Sequence, residues 1–280
     1  MGVVGHAPER RKMSGRRETH METLKEKEWI TLNKVILEIY SIETMEEFAS
    51  HILKICRNLV PYDMGYFLIY DETEAVREET GYSAAEGMDD ELFSVYLKEY
   101  YAKDYLQYFI SLFKESACYR DTDIMDERLR TKTEIFCHFM EPNGIPYGAG
   151  CVLWKGNKML GVLNFFRSGT SGDFTDKEMF ILNLLQDHLA EKLYQLFLGK
   201  KSLAQNKQAE KMVRFADRMG LTARERESFT LLMDGKSNQE IADDLSISLS
   251  TVKKHVVNIF EKCHVGSRSQ LRQAYELQKD

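Results

Sequence analysis

The chain has 280 residues, 43% of them hydrophobic, and a formal net charge of -6 at pH 7. That length allows two domains with cores of their own, and the composition is too apolar for disorder throughout. No apolar run approaches the roughly eighteen residues that span a bilayer, and no start combines basic residues with a long apolar core. A cytoplasmic protein is therefore expected.

Five cysteines (Cys56, Cys118, Cys137, Cys151 and Cys263) are odd in number, widely spaced and free of CxxC, which reads as reduced thiols rather than a disulfide framework. Cys137 stands beside His138, but no second pair lies at ligand spacing, so no metal or other cofactor is expected.

In chain order, residues 1–20 carry Arg10, Arg11, Lys12, Arg16 and Arg17 and almost nothing apolar, the composition of a disordered basic tail. The tail serves either to touch DNA phosphates or reflects an over-extended start, with Met13 or Met21 the natural first residue. Leu24 to Tyr40 sets Trp29, Leu32, Val35, Ile36 and Ile39 at helical spacing. A second helix begins at Thr44 with Glu47 completing its cap, and buries Phe48, Ile52, Ile55 and Leu59 until Pro61. The run Met64 to Asp71, MGYFLIYD, is a strand, with Ala75 to Gly81 its candidate partner.

Asp89 to Phe113 reads as one helix dense in tyrosine: Tyr96, Tyr100, Tyr101, Tyr105 and Tyr108. Such a stripe packs as core or interface, or lines a pocket for a small molecule. On the second reading Tyr101, Tyr105, Tyr108 and Trp154 are the candidate ligand-binding residues. A short helix follows near Glu134 to Phe139. After Pro142 the pattern is a strand (Gly148 to Trp154), a hairpin turn (Lys155 to Lys158) and a returning strand (Met159 to Phe166). A helix capped by Thr175 and Glu178 then runs to about Leu198. Residues 201–217 form a linker, polar and basic at first, then amphipathic through Met212, Val213, Phe215 and Ala216, a pattern open to helix.

Leu221 to Leu277 reads as four short helices. Three open on a Ser or Thr followed three residues later by Glu or Gln: Thr222 with Glu225, Ser237 with Glu240, and Ser267 with Gln270. Gly235 and Gly266 are the expected left-handed stops. A helix with Ile241, Ala242 and Leu245 inward, a turn at Ser246 to Leu249, and a helix with the stripe Val252, Val256, Ile259, Phe260 and Cys263 follow the helix-turn-helix plan. The outer face of the second helix carries Ser250, Lys253, Lys254, Val257 and Glu261. The segment Leu221–Asp280 holds nine Lys/Arg and nine Asp/Glu, so the whole -6 belongs to the remainder. A neutral module binds phosphate weakly as a monomer, which favours a dimer.

At these residues the chain resembles the LuxR-type (GerE- or NarL-type) DNA-binding domain of bacterial regulators. The match runs through LTARE, the stretch Gly235 to Ala242, Ile247-Ser248, TVKKH at Thr251 to His255, Asn258-Ile259, Lys262, Val265 and Arg268. The resemblance implies a four-helix domain over residues 218–280 that contacts double-stranded DNA through Ser237, Asn238, Ser250, Thr251, Lys253, Lys254, Val257 and Asn258. Lys253, Lys254 and Val257 coincide with the base-reading positions. It also implies a homodimer paired through the last helix, where Leu271, Ala274 and Tyr275 are too many apolar positions for one neighbour to cover, and makes RNA polymerase a candidate partner.

The strand, glycine turn, strand and DFTDKEMFILNLLQDHLAEKL helix resemble the closing section of a GAF-type sensory domain, with YFLIYD its opening strand. That resemblance, spread over residues 21–200, implies an antiparallel sheet between helices and a small-molecule pocket on one face; fold alone does not choose the ligand. Acyl-homoserine-lactone receptors share the plan, but neither Trp29 nor Trp154 aligns with their ligand motif, and no lactone site is carried over.

The expected fold class is α+β, an αβα sensor followed by an all-α helix-turn-helix domain. No nucleophile with a base, GxSxG, HExxH or phosphate loop is present in the sequence, so no catalytic residue is assigned. The expected function is a one-component transcriptional regulator. The rival is a ligand-binding or scaffold protein whose helical module binds protein rather than DNA.

Overall fold

Alternate residues of β1 (Met64–Ile69) leave a sheet on opposite sides, and here both sides are covered: Tyr66 and Leu68 enter one hydrophobic cluster, Phe67 and Ile69 another. Burial on two faces is why MGYFLI reads as a continuous apolar run instead of an alternating one. The computed structural model describes residues 24–70, 82–110 and 114–277, and the chain divides into the units Met1–Leu198 and Gly199–Asp280. The basic tail and the candidate strand Ala75 to Gly81 lie outside the described residues.

In the first unit, β1, β2 (Ala84–Glu86), β3 (Ala117–Arg120), β4 (Tyr147–Lys155) and β5 (Lys158–Arg167) form one antiparallel sheet in the order β2-β1-β5-β4-β3. The β4–β5 hairpin turns as expected, each strand a residue or so longer at either end. Its two strands approach closely at Gly150, where a Cβ would stand 2.1 Å from the Leu163 carbonyl oxygen.

One side of the sheet carries α1 (Glu26–Ser41), α2 (Met45–Cys56) and the beginning of α7 (Asp176–Arg218), through Leu32, Ile39, Phe48, Ile52, Leu185 and Leu189. Arg167, at the end of β5, ties the sheet to α7. Its Nη2 and Nη1 donate to the Glu178 oxygens at 2.6 and 3.0 Å, and its Nε to the Pro61 carbonyl at 2.7 Å. The other side is covered by shorter pieces: α3 (Asp90–Val95), α4 (Tyr105–Ile110), the single turns α5 (Asp121–Ile124) and α6 (Glu127–Arg130), and a π-helical turn at Phe136–Met140. This α+β arrangement, with its antiparallel sheet between helical layers, is the expected fold class.

Three local readings are corrected. Asp89 to Phe113 is not one helix: α3 passes into a π-helical turn at Tyr96–Tyr100 and a 3-10 turn at Tyr101–Lys103, then breaks at Asp104. Asp104 adopts extended backbone and its Oδ1 accepts from the Leu106 amide at 2.9 Å, the local competition with helix that Asp side chains offer. Thr44 flanks α2 without a side-chain cap bond. The helix from Thr175 does not stop near Leu198; it is continuous to Arg218, so the expected linker residues are helical.

The second unit contains the end of α7 with α8 (Ala223–Met233), α9 (Asn238–Leu245), α10 (Leu249–Lys262) and α11 (Arg268–Glu276). Thr222 and Ser237 make complete capping boxes with Glu225 and Glu240. Ser267 accepts from the Gln270 amide, but Gln270 Oε1 answers to the Gly266 amide, one residue early. Gly235 is left-handed as expected, whereas the stop after α10 is His264 at φ 55° in place of Gly266.

The core gathers Phe215, Phe229, Ile241, Val252, Ile259, Leu271 and Tyr275. Phe215 stacks on Phe229 at 5.2 Å between ring centroids, and the Tyr275 ring meets Phe215 edge-on at 5.5 Å. The expectation that Leu271 and Tyr275 are left over for a second copy is thereby corrected. Both are buried inside their own domain, because α7 and α8 together cover what a single neighbour would not; Ala274 is half-buried.

Beneath α10 lies Glu225, 3% exposed. Lys262 Nζ donates to its Oε2 at 2.6 Å, the Thr222 amide to the same oxygen at 2.8 Å, and Asn258 Nδ2 to Oε1 at 3.2 Å. Desolvation works against the charge, but these donors outweigh it and hold the carboxyl at about 2. A carboxylate held below its unfolded value stabilises the fold above the ordinary carboxylate range and loses that contribution as pH falls toward about 2. Glu225→Gln, which breaks charge-assisted bonds, is expected to destabilise the second unit by about 2 kcal/mol at pH 6. The gap to the parent chain should shrink between pH 5 and pH 3, as read by denaturant unfolding of the full chain. An unchanged gap would show that the charge is not what matters.

Candidate functional site

The second unit presents one face built by a turn and a cap. At the end of α9, Ser246 takes the left-handed conformation (φ 52°), and the Ile247 amide returns to the Ala242 carbonyl at 3.0 Å. Ser248 then caps α10, its hydroxyl accepting from the Thr251 amide at 3.1 Å. Sequence reasoning missed this cap, although a Ser four residues before Val252, where the buried stripe begins, is the ordinary signal. With the start of α10 set in this way, Val252, Val256, Ile259 and Cys263 face the core and Ser250, Lys253, Lys254, Val257 and Glu261 face solvent. Val257 is 52% exposed. Neither Lys253 nor Lys254 is paired with a carboxylate among the described residues.

The eight residues expected to meet DNA fall into two groups. Ser250, Lys253, Lys254 and Val257 form one exposed ridge. The other four are less exposed or already bonded inside the domain, as is the Ser250 hydroxyl through Ser248 at 2.8 Å. The Ser237 hydroxyl caps α9, and Thr251 Oγ1 bonds the Ser248 hydroxyl at 2.8 Å. Asn258 reaches Glu225, and Asn238 Oδ1 accepts from Arg268 Nη2 at 2.5 Å. Arg268 Nη1 also donates to the Lys236 carbonyl, and Arg272 to the Met233 carbonyl at 2.9 Å, so α11 clasps the loop before α9.

In the first unit, the side of the sheet under α3 and α4 holds a buried polar cluster. Tyr66 and Tyr96 share a hydrogen bond at 2.8 Å, and Tyr96 Oη donates to Asp104 Oδ2 at 2.9 Å. Tyr105 Oη donates to Asp121 Oδ2 at 2.7 Å, and Tyr119 Oη to Asn164 Oδ1 at 3.0 Å. Asp121 is 2% exposed and Asn164 fully buried. Burial drives both carboxyls up, Asp104 to about 6 against the Leu106 amide and the Tyr96 hydroxyl, and Asp121 to about 7 against the Tyr105 hydroxyl, with the Asp104 charge raising Asp121 further. Among the described residues, three buried atoms on this side have no protein hydrogen-bond partner: Asp121 Oδ1, Asn164 Nδ2 and Trp154 Nε1. Buried polar atoms left unpaired are costly, which marks the region as more than core.

Of the expected ligand residues, Tyr105 joins this cluster, Tyr101 bonds Tyr70 at 2.8 Å on the same side, and Trp154 packs there. Tyr108 is corrected: it is 75% exposed, because α4 is a separate short helix turned so that Leu106 and Ile110 face inward. Asp104, Asp121 and Asn164 were missed. Single acidic or amide residues in loops, strands and single helical turns carry no spacing signal, and only the tertiary fold brings them together. Among the described residues no three His, Cys, Asp or Glu side chains stand together in a metal-holding group.

The pattern of the family described as bacterial regulatory proteins, luxR family, matches residues 219–274. The spore germination protein GerE of Bacillus subtilis (strain 168) is 50% identical over 50 residues, 18% of this chain and 68% of that protein. The monoamine regulon transcriptional regulator of Klebsiella aerogenes is 53% identical over 51 residues, again 18% of this chain but 22% of its own, so this chain spans under a quarter of that relative's length. The crystal structure of Escherichia coli SdiA is similar over 89% of this chain and 96% of its own, with 19% identity and a TM-score of 0.47. With the helix-turn-helix geometry in place and half of all positions shared across two thirds of GerE, the chain belongs to the luxR family of bacterial regulatory proteins.

Proposed function

We propose that this chain is a sequence-specific, one-component transcriptional regulator of the cytoplasm, in which α10 enters the major groove of double-stranded DNA and the first unit senses a small molecule. The observation that carries this reading is the division of α10 into a buried stripe and an exposed ridge of one hydroxyl, two cations and a branched apolar residue. Such a ridge suits a groove offering phosphates, guanine acceptors and thymine methyls. Leaving Val257 in water brings no folding benefit, so its use is contact with a thymine methyl, while Lys253 and Lys254 take guanine O6 and N7 or nearby phosphates.

The balance of nine cations and nine anions in Leu221–Asp280 argues for two copies on a two-fold DNA site, since a single neutral module has little net attraction for phosphate. Leu271 and Tyr275 are not the pairing surface, being core. For the first unit, the unpartnered Asp121 Oδ1, Asn164 Nδ2 and Trp154 Nε1 support a ligand that offers both hydrogen-bond donors and acceptors. With no chemistry of its own, a sensor acts by binding one conformation of the chain better than another.

Retention of the purified full chain on mixed DNA fragments at increasing salt tests the reading directly. Selective retention with a steep salt slope is expected, and none at any salt would favour the scaffold alternative. On a selected site, Val257→Ala should cost about 1–3 kcal/mol and relax preference at one thymine per half-site. A lysine acting on phosphate should, when truncated, weaken all sequences alike and flatten the salt slope by about one. Unchanged base preference in Val257→Ala at every position would return Val257 to a packing role.

The polar cluster has a pH consequence. A carboxyl raised above its unfolded value stabilises the fold below about pH 4, and that contribution is lost as pH rises through about 7. Whatever the offset at pH 5, Asp121→Asn should therefore gain on the parent chain as pH rises to 8, by up to about 3 kcal/mol over the roughly two pH units between 5 and the folded value, at about 1.4 kcal/mol per tenfold change in proton affinity. Thermal unfolding of both chains at the two pH values measures this, and parallel profiles would show that Asp121 is ionised without penalty.

A further inference from the structure

Cys118 on β3 and Cys151 on β4 are directly opposed across the antiparallel pair, with their sulfurs 2.8 Å apart. Residues so opposed have Cα atoms about 4.5 or 5.5 Å apart, and both values fall within the about 4.4–6.8 Å that a disulfide spans. Moving the sulfurs together by about 0.8 Å would reach bonding distance with no change of register. β3 is an edge strand and Cys118 is half-buried, so a small oxidant reaches Cys118 first; Cys151 is fully buried behind it. Cys118 also donates to Oε1 of Gln186 on α7 at 3.4 Å, and Gln186 is itself buried.

We propose that Cys118 and Cys151 are a redox-modification site, a thiol pair that closes to a cross-strand disulfide under a hydroperoxide. The Cys118 sulfur attacks one peroxide oxygen; the O–O bond breaks, leaving Cys118 as a sulfenic acid and releasing an alcohol, or water from hydrogen peroxide. The Cys151 sulfur then attacks the Cys118 sulfur, the S–S bond forms, the S–O bond breaks, and hydroxide leaves with the Cys151 proton as water. Two thiols lose two electrons and two protons, and one peroxide is reduced.

Burial pushes the Cys118 thiol well up from its ordinary value, so Cys118 rests protonated and the site answers sustained rather than brief oxidant. Closure removes the S–H that Gln186 accepts from, leaving a buried carbonyl on α7 without that donor. The bond therefore alters how the sheet meets α7 within the first unit. The competing view is three inert core thiols, since Cys56 is fully buried and its thiol also senses Cys151.

The test is to expose the reduced, folded full chain to hydrogen peroxide, block the remaining thiols in denaturant, and map peptides by mass. One disulfide joining the β3 and β4 peptides is expected, with a loss of two hydrogens that dithiothreitol reverses. Cys118→Ser and Cys151→Ser should each abolish it, and Cys56→Ser should leave it intact. Hydrogen exchange around Gln186 should quicken in the oxidised chain. Five free thiols after a treatment that oxidises the urea-unfolded chain would overturn the proposal, as would a Cys56–Cys151 bond or irreversible oxidation of Cys118 alone. The peptide map of the parent chain decides the matter even where a serine variant fails to fold.

Discussion

The placement of α10 depends on a single buried carboxylate. Glu225 sits on α8 and is reached by Thr222 from its own helix start and by Asn258 and Lys262 from α10. The four groups form a closed network in which the anion is paired and its lone pairs are used, the condition under which a buried charge supports a fold rather than opposing it. Asn258 and Lys262 are one turn apart on the same side of α10, so the network sets the rotation of that helix. The rotation in turn decides that Lys253, Lys254 and Val257 point outward. The exposed ridge is thus defined from behind, by groups on the domain side of α10.

The first unit solves a different problem. A sheet covered on both sides buries most side chains of its inner strands β1, β4 and β5, and most of those positions are apolar accordingly. Where polar groups enter, they are handled in two ways. Arg167 is fully engaged by Glu178 and the Pro61 carbonyl, joining β5 to α7. On the other side, tyrosine hydroxyls stand against Asp104, Asp121 and Asn164, and the cluster keeps atoms unpaired. The first arrangement is structural and complete. The second carries a standing cost of desolvated carboxyls, which a partner with matching donors and acceptors would relieve.

Much of this was legible from residues alone, and for local reasons. Capping pairs such as Thr222 with Glu225 act over three residues, the β4–β5 hairpin is written by Lys155-Gly156-Asn157-Lys158, and the stripe Val252, Val256, Ile259 announces a helix and its inner face. Readings failed where a local rule met a competing one. The tyrosine-rich stretch breaks at Asp104 because its carboxylate caps the next helix, and Leu271 and Tyr275 appeared surplus because a helical wheel does not count how many neighbours a helix has.

By itself, then, the sequence determined the helix-turn-helix and the ridge Ser250, Lys253, Lys254, Val257, which follow from periodicity, caps and turns within a few residues, while the antiparallel α+β sensor was legible through its resemblance to a GAF-type domain. Tertiary structure alone decided that Asn238 and Asn258 are held inside the domain, that Tyr108 faces solvent while Asp121 and Asn164 share a buried cluster, and that Cys118 opposes Cys151. These depend on strand register and on which helices cover which face, and pairings between residues tens of positions apart leave no periodic trace in the chain.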